Sequence, residues 1–373
     1  MTAAASADSA ERPGAIPAVS RVAWVDIAKG WCIVLVVTMH SALGVGLALG
    51  ETGWLHAVVA FAKPFRMPDF FVIAGLFVGR AIDLPWRAYL DRKAVHFAYF
   101  YALWLAIILA AKSFELGIAA PGPFIRAYLW GFVDPFSTMW FIQLLPLLFI
   151  AARLLRDVPT WISLGTALLL HLSAASVPTG GAYAMSSAWT GLATIDNFAL
   201  FFIYFLIGVK ARDAIFRLVR IAADRPLAAV ICLAAWAVSD ALAVRFDMAG
   251  IPGLTLIFGL SGAGAVVAVS ALLARFSLLG WLAYCGRHSL VIYLAFVLPM
   301  GAARLALLKV GLITSVGWNS LIVAAVAIAV PLALHHVTKQ TPLAFLFTRP
   351  AWARLPGSGQ EAQTQKEMRA NEA

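Results

Sequence analysis

The sequence predicts an all-α polytopic membrane protein of about ten transmembrane helices with both termini in the cytoplasm. Three observations predict it. Of the 373 residues, 62% are hydrophobic and only 12% charged, against roughly a quarter charged in soluble domains, and mean hydropathy is +0.88. The apolar residues fall into ten runs long enough to cross a hydrocarbon core of about 30 Å. With the N-terminus inside, the inner connections hold 20 of the 28 Lys and Arg and the outer ones 5, as cytoplasmic loops of membrane proteins do. A soluble globular protein, a disordered chain and a coiled coil are excluded. The runs are apolar all round rather than alternating, so they cross lipid as helices and not as barrel strands.

The ten segments follow in order. The first, 22–43, opens on Asp26 and Lys29 and carries His40 towards its outer end. The second, 55–79, holds Lys63, Pro64, Arg66, Pro68 and Asp69; two prolines so close break the helical ladder and free carbonyls. The third, 95–111, follows the basic stretch Arg80, Arg87, Arg92 and Lys93. The fourth, 139–155, begins at Met139–Trp140, and the fifth, 161–177, contains His171. The sixth, 195–209, and the seventh, 227–244, flank the arginines at 212, 217, 220 and 225. The eighth, 254–273, includes Leu-Ser-Gly-Ala-Gly, small residues that let helices approach. The ninth, 278–298, contains Arg287, His288, Ser289 and Tyr293. The tenth, 312–335, ends at His335–His336. Residues 1–20 read as a disordered cytoplasmic tail, 21–337 as the membrane domain, and 338–373 as a second cytoplasmic tail, disordered from about 358. The first apolar run carries Asp26 and Lys29, which argues against a signal peptide.

The formal net charge is +10. It belongs to the loops, and no basic cluster interleaved with aromatics points to nucleic acid. Cys32, Cys232 and Cys285 form no CxxC pair and read as small buried hydrophobes. No metal site is expected. Arg287–His288–Ser289 lacks a positioned acid and a nucleophile elbow, so it is no hydrolase triad. Ser289 reads as a helix cap, and His56 and His171 as residues of the outer interface.

Charged groups inside a span face a protein interior or a wet cavity, because lipid penalises them. At 100° per residue, Lys29 and His40 lie about 20° apart on the first helix and about 16 Å apart along its axis. Asp26 lies about 40° from His40, so all three share one stripe. Asp26 and Lys29, and likewise Arg66 and Asp69, are spaced i,i+3 and within pairing reach. The alternatives are an interfacial anchor for Asp26 and Lys29, a satisfied interfacial histidine for His40, and a kinked helix with a self-neutralised pair for Arg66 and Asp69. The functional reading is a cationic pocket for an anionic or phosphate-bearing ligand.

Together these segments resemble the integral-membrane acyltransferase family 3, which includes glycan O-acetylases, and a branch of bacterial inner-membrane proteins within it. Asp26, Lys29–Gly30 and His40 match the family's first-helix Asp, Arg-Gly and His, with Lys in place of Arg. Met67–Pro68, Phe70–Phe71 and Ala74–Gly75 match its second helix, with Ala for Ser. Trp140–Phe141, and the run Gly286, Ser289, Leu290, Ile292 and Tyr293, match later elements; Phe296 stands where many members have a His. The resemblance implies a multi-pass inner-membrane O-acyltransferase. Its donor would be acyl-CoA, acetyl-CoA first, used as a substrate with no bound cofactor. Its acceptor would be a hydroxyl of a cell-envelope glycan or lipid-linked sugar.

On that reading His40 is the base or transient acyl carrier, since an imidazole suits proton transfer near neutral pH. Lys29 and Arg66 stabilise an oxyanion or the CoA phosphates, and Asp26 and Asp69 orient them. Trp140 and Tyr293 either line the groove or pack in the core. Lys29 keeps charge but loses the bidentate fork, and Phe296 removes a proton-handling group. Both departures leave open a different substrate or a loss of catalysis. The competing classes are a transporter or exporter of a small anionic solute or lipid precursor, and a non-catalytic partner in envelope biosynthesis.

Overall fold

The structure, a computed structural model, describes residues 23–118, 120–177, 189–311 and 315–358. Among these residues there are sixteen α-helices and no strands. They are α1 (Ala23–Leu49), α2 (Trp54–Ala62), α3 (Arg66–Leu76), α4 (Trp86–Leu90), α5 (His96–Lys112), α6 (Pro121–Trp130), α7 (Trp140–Leu154), α8 (Thr160–Ala175), α9 (Ala193–Lys210), α10 (Arg212–Asp224), α11 (Pro226–Arg245), α12 (Leu254–Arg275), α13 (Gly280–Arg287), α14 (Ser289–Ala295), α15 (Val297–Val310) and α16 (Val316–Thr338). Seven helical stretches are long and apolar enough to cross a bilayer, or eight with the bent pair α14–α15 counted as one span. The chain is a multi-pass helical membrane protein.

Seven of the ten expected segments are these single stretches; the other three differ, each for a local reason. The second breaks at Lys63–Phe65, where Pro64 has no N–H for the ladder, and restarts as α3 with Pro68 in its first turn, where a missing N–H costs nothing. The fifth is the sixteen-residue α8, short for a span. The ninth is displaced towards the C-terminus: α13 ends at Arg287, α14 follows, and α15 continues to Val310 after a 58° bend. The third runs longer than expected. A π-turn over Asp91–Val95 joins α4 and α5 into one stretch, Trp86–Lys112. The expected N-terminal tail and residues 359–373 fall outside the described residues.

Helix α1 is the central post. It packs against α13, α16, α12, α2 and α3, while α3 lies on α9 and α12. Lipid tails are as apolar as leucine, so helices associate in the membrane through close packing rather than through expulsion of water. Glycine provides that closeness at two crossings. A Cβ on Gly286 would overlap the Asp26 carbonyl, and one on Gly30 the Leu282 carbonyl, so α13 presses directly on α1. A Cβ on Gly75 would overlap the Phe205 carbonyl, and one on Gly208 the Val72 carbonyl, which seats α3 on α9. Around these crossings Ala28, Cys32, Ile33, Val37, Phe71, Leu105 and Phe205 are fully buried.

Residues 342–358 are not a loose extension. The Trp104 indole N–H donates to the Leu346 carbonyl at 2.9 Å and the Tyr99 hydroxyl to the Phe345 carbonyl at 3.1 Å. The Arg349 guanidinium pairs with Asp91 at 2.6 Å, and both side chains are buried. The Asp91 carboxylate also accepts from the Leu355 N–H at 2.7 Å. This segment therefore clasps the π-turn.

His171 is buried, with its ring nitrogens 2.8 Å from the Leu200 carbonyl and 3.1 Å from the Thr255 hydroxyl, and it ties α8 to α9 and α12. Two minor readings change. Cys232 is exposed on α11, unlike buried Cys32 and Cys285. His288, not Ser289, stands at the N-cap position of α14, and its side chain makes no capping hydrogen bond.

Candidate active site

A cavity of about 380 Å³ opens at the end of the bundle where Lys and Arg concentrate. Lys29 of α1, Arg92 and Lys93 of the π-turn, His96 of α5 and Arg287 of α13 line it, above a wall of Phe70, Phe141 and Tyr293. The elements explain why cations gather there. The C-terminus of α3 presents unpaired carbonyls and the negative end of its dipole. Lys93 Nζ donates to the Phe77 carbonyl at 2.6 Å, and Lys29 Nζ sits 3.9 Å from the centre of the Phe77 ring, a cation–π contact. The π-turn carries Asp91 into the clasp with Arg349 while Arg92 and Lys93 reach the cavity. Such turns recur at functional sites because they re-aim neighbouring side chains.

Asp26 does not pair with Lys29 as its spacing suggested. Its carboxylate lies 3.8 Å from Arg287, delivered by the tight α1–α13 crossing. Arg287 is half exposed, so this pair orients more than it stabilises. Lys29 is left to the cavity.

Deeper in the bundle lies a second group. Arg66 is buried at the start of α3, and its Nε and Nη1 have no hydrogen-bond partner among the described residues. Asp69 is fully buried one turn on; its Oδ1 accepts from the Phe70 N–H at 2.6 Å and its Oδ2 has no partner there. The two make no ion-pair contact, which the alternative reading of a self-neutralised pair had allowed; Asp69 Oδ1 accepts instead from the N–H of Phe70. The Cys32 thiol, also fully buried, lies beside the Asp69 carboxyl. Arg66 is the charged neighbour of His40. The His40 ring packs on Phe296, with centroids 5.6 Å apart.

The cavity thus unites Lys29 and Tyr293, while His40, Arg66 and Asp69 form the inner group and Asp26 sits at the rim. An aromatic wall lies between them. Phe70 meets Phe141 at 4.9 Å, Phe141 meets Tyr293 at 5.5 Å, and Tyr293 meets Phe296 at 6.1 Å between ring centres. The Tyr293 hydroxyl is anchored on the Thr138 carbonyl. Trp140 is not part of the lining; it stacks on Phe201 at 5.5 Å and supports Phe71 at 6.0 Å. The sequence reading counted Arg92, Lys93 and Arg287 as loop charges, took Cys32 as a small buried hydrophobe and passed over His96. The signal for the first set was their place at the same end as Lys29, beside a stretch longer than a bilayer requires.

Buried donors without partners are costly and rare in folded proteins. Arg66 beside an imidazole offers a fork of N–H groups to an anion, and the cavity offers several cations to phosphates. Among the described residues, no group of three metal-ligating side chains occurs.

No solved structure matches the chain. It is 26% identical over 155 residues to the inner membrane protein YcfT of Escherichia coli (strain K12), an alignment covering 35% of this chain and 43% of that one. The chain therefore spans less than half the length of this curated relative. The family described as "Acyltransferase domain" matches residues 22–336, from the base of α1 almost to the end of α16. With that match over nearly the whole membrane domain, the chain belongs to this acyltransferase family, the integral-membrane acyltransferase family 3.

Proposed function

We propose that this membrane acyltransferase moves an acyl group, acetyl first, from acyl-CoA to a hydroxyl of a cell-envelope glycan or lipid-linked sugar in the inner membrane. The observation that carries the reading is the cavity with Lys29, Arg92, Lys93 and Arg287 at its mouth. A donor bearing several phosphates requires such a mouth, and a neutral solute does not. The excess of Lys and Arg at that end supports a cytoplasmic mouth, on the side where acyl-CoA is made.

On this reading the CoA phosphates rest on the cations and the acyl end points past Tyr293 towards His40. The acceptor hydroxyl gives its proton to the His40 imidazole as its oxygen attacks the thioester carbon. The carbonyl oxygen becomes an oxyanion facing the open donors of Arg66. When the C–S bond breaks, the leaving thiolate takes the proton back from the imidazolium. Asp69, fully buried nearby, limits the cost of holding Arg66 charged in the bundle.

The test is purified protein in lipid nanodiscs with labelled acetyl-CoA, following CoA release and label on an envelope glycan fraction. His40→Ala is expected to lose transfer by on the order of a hundredfold or more while accumulating normally; Lys29→Arg, which restores the family residue, is expected to remain active. Transfer by His40→Ala at the parent rate would remove His40 from the mechanism. Uptake of labelled solute without CoA release would favour the transporter class.

A further inference from the structure

We propose that Arg304 holds an anionic group of the acceptor, a carboxylate or phosphate carried by a sugar, at the end of α1 away from the donor cavity. The inference rests on the acyl-transfer reading above and adds the chemistry of the second substrate. Lys29 of α1 lines the cationic cavity. Gly44 of the same helix lies about 22 Å further along the axis, at 1.5 Å per residue, towards the opposite end. There Arg304 of α15 rests on the backbone, its Nη1 donating to the Gly44 carbonyl at 3.2 Å. Glycine makes the approach possible, since a Cβ on residue 44 would stand 2.8 Å from that nitrogen. His40 and Gly44 are spaced i,i+4 and share a face of α1, about 6 Å apart along the axis. The span that carries Arg304 follows α1 in the same direction: Phe296, at its bend, packs on the His40 ring, and Arg304 meets Gly44 further on.

The charge of Arg304 is unanswered. The side chain is half-buried, the Gly44 carbonyl is its one hydrogen-bond partner among the described residues, and no carboxylate there lies within ion-pair distance. A guanidinium has five N–H donors in a planar fork that matches a carboxylate or phosphate, and most of this fork is unspent. A cation within the span of a membrane protein marks a ligand path when no partner neutralises it. His40 itself is partly exposed and does not line the cationic cavity, so the surface it keeps open is not the donor's. An acceptor whose anionic group rests on Arg304 presents a neighbouring hydroxyl towards His40, whereas a neutral sugar leaves the guanidinium unmatched.

The experiment uses purified protein in phosphatidylcholine nanodiscs with labelled acetyl-CoA and, as acceptor, glucose, glucuronic acid or glucose 6-phosphate. KM for each sugar is read from sugar-dependent CoA release in the parent, Arg304→Gln and Arg304→Lys. The parent is expected to take one or both anionic sugars at a lower KM than glucose, and which one it takes separates a carboxylate from a phosphate. Arg304→Gln raises that KM by at least about tenfold, as loss of a hydrogen bond to a charged group does, while KM for glucose moves little. Arg304→Lys keeps the charge and recovers part of the loss. Gly44→Ala, whose Cβ displaces the guanidinium, stands in if Arg304→Gln fails to accumulate. The series is repeated with phosphatidylglycerol in the nanodisc, where the preference for anionic sugars is expected to persist.

A residue that only braces α15 on Gly44 would shift all three sugars alike, and that result would overturn the proposal. So would a parent with no sugar-dependent release, or with equal KM for glucose and both anionic sugars. Loss of the parent's preference in phosphatidylglycerol would assign Arg304 to a lipid phosphate and overturn it too. Each of these leaves the donor reading intact so long as acetyl-CoA is consumed. Failure of every protein to bind or consume acetyl-CoA would overturn the donor reading itself, and this inference with it.

Discussion

Arg66 shows what a single residue reveals about the site. Its Nε and Nη1 are buried without partners among the described residues, so the folded protein carries a cost there that packing does not return. Two outcomes are expected of Arg66→Gln. CoA release falls on the order of a hundredfold, as when an oxyanion donor is removed. The thermal midpoint moves little, because two unsatisfied buried donors are lost while buried Asp69 loses its charged neighbour. Steady-state release and a thermal melt on the same preparation check both, and a large fall in midpoint would make Arg66 a structural residue. At this scale the sequence was legible where charge met apolar surroundings: Asp26, Lys29, His40, Arg66 and Asp69 were singled out because lipid penalises each of them. Their partners were not legible. The i,i+3 spacings allowed two ion pairs that the structure does not make, since Asp26 is met by Arg287 from 261 positions along the chain and Asp69 by the backbone at Phe70.

Between elements, the decisive contact is α13 on α1. Gly286 and Gly30 let the two backbones touch, and the crossing brings Arg287 to Asp26 and to the cavity. Gly286→Val is expected to force the helices apart at a cost of about 1–3 kcal/mol, seen as a lowered unfolding midpoint with weakened CoA binding. Gly280→Ala, with nothing within 4 Å of its added Cβ, should leave both unchanged. Apolar runs gave most helices from the sequence, because length and hydropathy are local properties. The breaks were half legible. Pro64 announced the one between α2 and α3, and Pro299, which has no N–H to give to the Ala295 carbonyl, stands just beyond the bend at Phe296. The π-turn at Asp91–Val95 has no proline. The ninth segment was ended at residue 298 because its apolar run was read without the helix that continues past Pro299.

Across the whole molecule, positive charge and cavity share one end, and the clasp of residues 342–358 on the π-turn closes that end. The Arg349–Asp91 pair is buried, so removing one partner leaves a charge stranded. Asp91→Asn is expected to cost about 3 kcal/mol. It should also weaken acetyl-CoA binding by loosening Arg92 and Lys93; a melt and a binding isotherm measure the two effects. Unchanged binding in a destabilised variant would limit the clasp to a structural part. The same pair orders events during synthesis. Asp91 emerges from the ribosome long before its partner, which follows 258 residues later. Until Arg349 arrives, the turn that carries Arg92 and Lys93 is unclamped, so the cationic lining of the cavity is completed only once translation has passed α16.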